Sequence, residues 1–282
     1  MKPRVTALCS ALLALVLAAP AVAQDEESAF SGVLQLDVTN AYFFRGILQE
    51  REGVILQPWT ELYYSLYSSE DGFLRDVTVG GGVWTSFHSE RTGATQDPQW
   101  FYEADYYPLV SVDFAGGVNL TTAYYFYTSP NKAFSTTQEL NFKLAWDDSE
   151  AFGDWAMAPW INFAIEMENT SFGADRGTGI QLGIGPTLYA PENGSVTLTL
   201  PVEVGLSLED YYENADGSGN HTFGYVSAGL LASIPLGFVP ESAGAWSLNL
   251  GGKVFYFNEI LSDANRNKSV YPVGTVSLAV AF

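Results

Sequence analysis

The sequence predicts an all-β protein, a single antiparallel transmembrane β-barrel of about twelve strands with ten or fourteen as alternatives. Three observations carry that expectation. From Gly32 onward the dominant hydropathy period is two, the side-chain period of a strand with two unlike faces. Turn chemistry punctuates the pattern, and short and long connections alternate along the chain. Beyond the N-terminal region no segment could span a bilayer as a helix, since the longest uncharged stretch, Gly217 to Pro240, is cut by His221, several glycines and Pro235.

The N-terminus is a separate object. Lys2 and Arg4 precede the apolar run Ala7 to Ala19, and Ala21-Val22-Ala23 suits a signal-peptidase site before Gln24. Residues 1–23 are therefore expected to be a cleaved signal peptide, and residues 24–282 a single barrel domain delivered to the cell outer membrane through the periplasm. Cys9, the only cysteine, would leave with the signal, so no disulfide is expected. Loss of Lys2 and Arg4 would take the net charge from −20 to −22. That acidity excludes a nucleic-acid partner, which requires a basic footprint.

The strands are expected in order between these connections. The first, near 31–48, runs to the polar stretch Gln49 to Gly53, and 53–68 ends at Glu70-Asp71-Gly72. The third, 73–89, carries Gly80-Gly81-Gly82 and precedes the polar Glu90 to Gln99. Ala115-Gly116-Gly117 separates 99–114 from 117–129, which Ser129 to Phe134 then closes. In 135–147, Leu140, Phe142, Leu144 and Trp146 alternate with Glu139, Asn141, Lys143 and Ala145, up to Asp147-Asp148-Ser149. In 155–168, Pro159, Ile161, Phe163, Ile165 and Met167 form the apolar face before Asn169 to Arg176. Segment 177–190 ends at Glu192-Asn193-Gly194, and 195–210 has the cleanest alternation, Val196 through Leu208, before the acidic loop Asp210 to Asn220. Then come 221–235, the turn Glu241 to Gly244, 245–260, the connection Leu261 to Lys268, and 269–282. An even strand number places both termini on one side.

In lipid the outward face must be apolar, so the other parity faces the lumen. This assigns Asp37, Arg45, Glu61, Asp76, Glu103, Asp105, Glu139, Lys143, Glu166, Glu203 and Lys253 to the pore lining. The predominance of acids implies a channel for cations or neutral solutes, or carboxylates paired with the three bases and with tyrosine hydroxyls. Phe43, Trp59, Trp84, Tyr107, Trp160 and Tyr225 are expected as lumen aromatics, either a stacking track for ring-bearing solutes or space-filling. Tyr42, Phe44, Tyr64, Tyr102, Phe114 and Tyr256 fall on the outward parity and suit interfacial girdles.

No cofactor, metal centre or catalytic group is expected. His88 lies near Ser86 and Ser89, the minimum for an outer-membrane lipid hydrolase as an alternative. Asp210, Glu213, Asp216 and Asn220 do not match an EF-hand loop and read as a solvated acidic loop. A plugged structural or adhesive barrel, using Tyr211-Tyr212-Glu213 as an outer contact, is the other alternative.

Two further resemblances bear on partners. The apolar alternation Val276, Leu278, Val280, Phe282 resembles the terminal strand signal read by the barrel-assembly machinery. The segment Val38 to Gln49, with Tyr42, Phe44, Arg45, Gly46 and Gln49, resembles the opening of the TorF-like family of outer-membrane porins, with 77–84 as its glycine-rich third strand. That resemblance implies a porin embedded in outer-membrane lipid, passing a small-molecule solute, and assigns no catalytic residue. Arg45 itself admits two roles, an ion-paired anchor of the first strand or a solute-contacting constriction residue.

Overall fold

The computed structural model describes residues 29–282 with the exception of Ala215. The expected signal peptide, residues 1–23, lies outside the described residues. Strands β1 Phe30–Thr39, β4 Ile55–Ser68, β5 Leu74–His88, β6 Phe101–Phe114, β7 Val118–Thr128, β8 Thr137–Trp146 and β9 Trp160–Glu168 follow one another as antiparallel neighbours. The wall continues through β10 Thr178–Ile184, β11 Thr187–Tyr189, β12 Thr197–Thr199, β13 Val202–Glu209, β14 Phe223–Pro235, β15 Ala245–Phe257 and β16 Val270–Ala281. β16 then pairs with β1, Val33 opposite Ala281, and the sheet is closed.

The sheet contains fourteen segments but twelve wall strands, because β10–β11 and β12–β13 are each one strand interrupted in the middle. The expected continuous strands 177–190 and 195–210 are broken there. Pro186 and Pro201 sit in the two gaps, and proline has no N–H to give the ladder.

Alternation sorts the two faces. On β6 the inner Glu103, Asp105, Tyr107 and Leu109 are buried while Tyr106 and Val110 are 48 % and 44 % exposed. On β15, Leu250, Val254 and Tyr256 face outward and Phe255 and Phe257 are buried inside. Leu62, Tyr64, Val83, Leu182, Leu230 and Val276 continue the exposed apolar band around the wall. Such a continuous belt of large apolar side chains is a liability in water and the requirement of a bilayer.

Three other expectations change. The segment expected as 155–168 starts only at Trp160, after a one-turn helix, Ser149–Phe152, and a 3-10 turn, Gly153–Trp155. The strand expected to reach 260 ends at Phe257, where Asn258 caps a short helix, Glu259–Ala264, by accepting the N–H of Leu261. The largest change is at the first strand.

That strand was expected to run to residue 48, and it stops at Thr39. The Asn40 N–H donates to the Gly274 carbonyl, and its side-chain oxygen accepts the Gly274 N–H, which ends the ladder with β16. The chain then forms a separate hairpin, β2 Tyr42–Phe44 paired with β3 Ile47–Glu50. Its tip is Arg45-Gly46, with φ of 45° and 82°, the two positive values that a two-residue primed turn demands.

Candidate functional site

The β2–β3 hairpin does not join the wall. It crosses the barrel interior near the end opposite the termini. Tyr42 packs on Trp84 of β5 at 5.1 Å and donates its hydroxyl to Glu103 of β6 at 2.9 Å. Phe44 meets Tyr127 of β7 edge-on. On the other side Phe43 stacks on Phe255 and Phe257 of β15 and meets Tyr271 of β16. Three consecutive residues thus reach both halves of the wall.

Arg45 is the polar anchor. One guanidinium nitrogen donates to Glu139 at 2.5 Å and to the Tyr211 hydroxyl at 2.6 Å, and the other to Asn141 at 3.2 Å. The pair is almost dry, with side chains 8 % and 0 % exposed. Glu139 also accepts the hydroxyls of Tyr127 and Tyr211. The backbone around Arg45 is held as firmly: Tyr212 donates to the Arg45 carbonyl, while the Asn265 side chain donates to the Gly46 carbonyl and accepts the Leu48 N–H. A polar turn buried this deeply is stable only when each backbone group has such a partner. The Arg45 side chain therefore lies at the tip of an inserted hairpin, where the turn directs it at β8, and not on the wall strand that parity suggested.

The interior acids are satisfied mainly by tyrosine. Glu61 accepts the hydroxyls of Tyr107 and Tyr63, and Tyr107 in turn accepts the Trp59 indole N–H at 2.9 Å. Glu203 accepts the hydroxyl of Tyr225 and the amide of Gln181. Glu166 takes the N–H groups of Ser171 and Gly177, pinning the loop between β9 and β10. Asp76 accepts from Ser65 and Thr78, and Asp37 from Gln35. Lys143 and Lys253 lie over the rings of Trp160 and Phe255, at 5.1 and 4.8 Å, rather than against carboxylates. Among the described residues only Arg45 makes an interior ion pair.

The inner aromatics are largely consumed by packing. Tyr211, Tyr212, Tyr225, Phe255, Phe257 and Leu261 form a buried cluster against the hairpin. Tyr211 and Tyr212, expected as an outer contact, are each 1 % exposed, and Glu213 beside them accepts the N–H groups of Ala174 and Asp175 in the neighbouring loop. Tyr42 and Phe44 are inside because the hairpin is. Tyr102 is inside because a bulge between the Ser86–Glu103 and Phe87–Phe101 pairs adds one residue and re-aims its side chain. No sequence signal marked Asn265 or the inward role of Tyr211 and Tyr212, since their hairpin partners lie 166 to 219 residues away.

Level with the hairpin the interior is packed; below it, toward the termini, Tyr107, Leu109 and Ala123 form a second buried cluster on the inner face. The inward-facing Lys143 and Lys253 are exposed there. Above it, beside β6–β9, a depression of about 650 Å³ opens outward, lined by Phe44, Gln49, Glu103, Tyr127, Phe134 and Thr137 among others.

Ser86 and His88 are in hydrogen-bond contact at 2.8 Å, and the other imidazole nitrogen meets Thr92, which donates to Glu50. Ser86 is 0 % exposed on the inner face and His88 is stacked under Tyr102. A lipid on the outer face has the barrel wall between it and that hydroxyl.

No protein-family model and no curated protein matches the chain. Among solved structures it is similar to the NanC porin, at 10 % identity and TM-score 0.45, over 88 % of this chain and 98 % of that one. It is also similar to the translocator domain of the autotransporter NalP from Neisseria meningitidis, at 11 % and 0.44, over 99 % and 97 %. A third is the outer-membrane phospholipase dimer of Salmonella typhi with bound calcium, at 12 % and 0.45, over 95 % and 96 %. The likeness is to the barrel alone. The chain is a β-barrel membrane protein similar to outer-membrane proteins.

Proposed function

We propose that the protein is a narrow outer-membrane porin in which the β2–β3 hairpin forms the constriction and small cations or neutral solutes diffuse passively. One observation carries the reading: the inward-facing Lys143 and Lys253 are exposed to solvent below the hairpin while the residues packed on it are buried, so the hairpin narrows a hydrated interior at its own level. The acidic lining, with Glu61, Asp76 and Glu203 around the bore, favours cations over anions in a low-dielectric tube. The loop end faces outward from the cell and the termini face the periplasm, as in barrels whose short turns are periplasmic. The resemblance of Tyr42, Phe44, Arg45 and Gly46 to the TorF-like porins agrees with this reading. The mechanism involves no bond chemistry and no cofactor. Barrel-assembly machinery recognising the Phe282 strand is the expected partner in biogenesis.

A plugged structural barrel is the second reading, favoured by the apolar cluster that seals the hairpin against β14–β16. Planar-bilayer recording distinguishes the two. The porin reading expects small, cation-preferring conductance steps from the native protein, and larger steps after residues 41–51 are replaced by a short glycine linker. Steps only from the shortened protein would establish the plug. Anion preference, or silence from both, would sink the porin.

A further inference from the structure

Among the described residues three large apolar side chains are barer than any others: Phe238 at 82 % exposure, Trp155 at 80 % and Phe73 at 74 %, ahead of Leu208 at 60 %. None lies on a strand. Phe73 ends the connection 69–73, Trp155 lies in 147–159 and Phe238 in 236–244, all at the rim that holds the termini. They are evenly placed. Around the twelve wall strands, four separate each of these connections from the next: β5 to β8, then β9 to β14, then β15, β16, β1 and β4.

The connections turn toward the lipid face and not across the bore. The Phe73 ring packs on Phe114 at 5.1 Å, and Phe152 of the second connection meets Trp146 edge-on at 5.8 Å. Phe114 and Trp146 share the outward parity of Val110 and Leu144. In the third, Trp246 has the outward parity of Leu250 and donates its indole N–H back to the Ala243 carbonyl at 2.8 Å. Exposed rings cost free energy in water and are accepted at the level of lipid headgroups, so these continue the apolar belt beyond the strand ends.

Charge narrows the choice of lipid. Connections 69–73, 115–117, 147–159, 190–196 and 236–244 contain eight carboxylates and no lysine or arginine, and the nearest base, Arg75, stands in β5. An anionic leaflet repels such a rim within a Debye length, and a zwitterionic one does not.

We propose that the three connections form a three-point membrane anchor, with Phe73, Trp155 and Phe238 seated in the headgroup interface of the adjoining leaflet and with a preference for zwitterionic over anionic phospholipid. Three evenly spaced points define a plane, so the anchor fixes the depth and tilt of the barrel. This requires that the barrel span a bilayer, and it holds whether or not the bore conducts.

The test reads Trp155 in phosphatidylcholine vesicles, as the emission of the native protein minus that of Trp155→Phe. This signal is expected to be blue-shifted, to fall when the acyl chains carry bromine near the headgroup, and to resist iodide present on both sides of the membrane. Phe238→Trp in the Trp155→Phe protein should add a signal of the same kind. If Trp155→Phe does not fold, Phe238→Trp measured against the native protein provides the reading. A signal at either position that iodide quenches and brominated lipid leaves untouched overturns the anchor and leaves the rings to a protein partner. In equal mixtures of phosphatidylcholine and phosphatidylglycerol at low salt, bromine on the phosphatidylcholine should quench more than bromine on the phosphatidylglycerol, and equal or reversed quenching refutes the headgroup preference.

Discussion

Arg45 occupies a backbone conformation that non-glycine residues rarely adopt, with a cost of about 1–3 kcal/mol. That cost is tolerated because the same turn aims the guanidinium at Glu139. Arg45→Ala leaves Glu139 buried with only neutral donors, and a loss of about 3–5 kcal/mol is expected, read as a fall in the temperature at which the folded band converts in heat-modifiable gel electrophoresis. Arg45→Ala with Glu139→Gln should recover much of that loss, because no uncompensated charge remains. At this scale the sequence was half legible. Strand parity placed Glu61, Glu103, Asp105, Glu139, Glu166 and Glu203 on one face because an i, i+2 pattern is local. Parity could not assign Arg45, Tyr42 or Phe44, because a hairpin that leaves the wall carries no register with it, and Tyr102 escaped because one bulged residue inverts the count. The anchoring partners Tyr211 and Asn265 belong to loops, where neither hydropathy nor period carries information.

The hairpin and the connections are the elements that distinguish this barrel. A Cβ at Gly46 would stand 2.6 Å from the Tyr225 ring, at a φ of +82°. Gly46→Val should therefore displace the hairpin with little effect on the wall, and larger conductance steps than the native protein's are expected in planar bilayers; unchanged steps would mean the hairpin does not set the bore. Apart from the first strand, wall elements were legible to within a few residues, and the other exceptions are physical: Pro186 and Pro201 break two ladders that alternation alone runs through, and a capped helix replaces the expected end of β15. Among the connections, 147–159 is organised by Asp148. Burial pushes this carboxylate up, but the N–H groups of Met157 and Ala158 prevail and hold it below its usual value. A lowered folded-state pKa contributes stability that is complete above the unfolded value, about 3.9, and disappears as pH falls through the folded one. Amide exchange at Met157 and Ala158 should thus be faster in Asp148→Ala than in the native protein at pH above that value, with the gap closing in stronger acid.

At the scale of the whole molecule, two solvents decide the fold. The apolar belt faces lipid, and Leu230, half-exposed near the middle of β14, is a position where Leu230→Arg should cost about 2–4 kcal/mol of folding free energy in bilayers if it lies at the midplane. Unfolding titrations in lipid vesicles measure this, and Ser227→Arg on the inner face provides a comparison set by lumen packing instead. The excess of acids, which in the sequence only discounted nucleic acid, is distributed by the barrel into loops and a tyrosine-buffered interior. There is also a consequence for the order of assembly. The hairpin lies in the first tenth or so of the described chain, yet its clasp comes from Tyr211, Tyr212 and Asn265 and its apolar seat from Phe255, Phe257 and Tyr271. Contacts of such long sequence separation form late. The earliest-synthesised part of the interior can meet β5–β8 first, but its clasp and its apolar seat form only with the last strands, so full seating of the hairpin reports that the wall is complete.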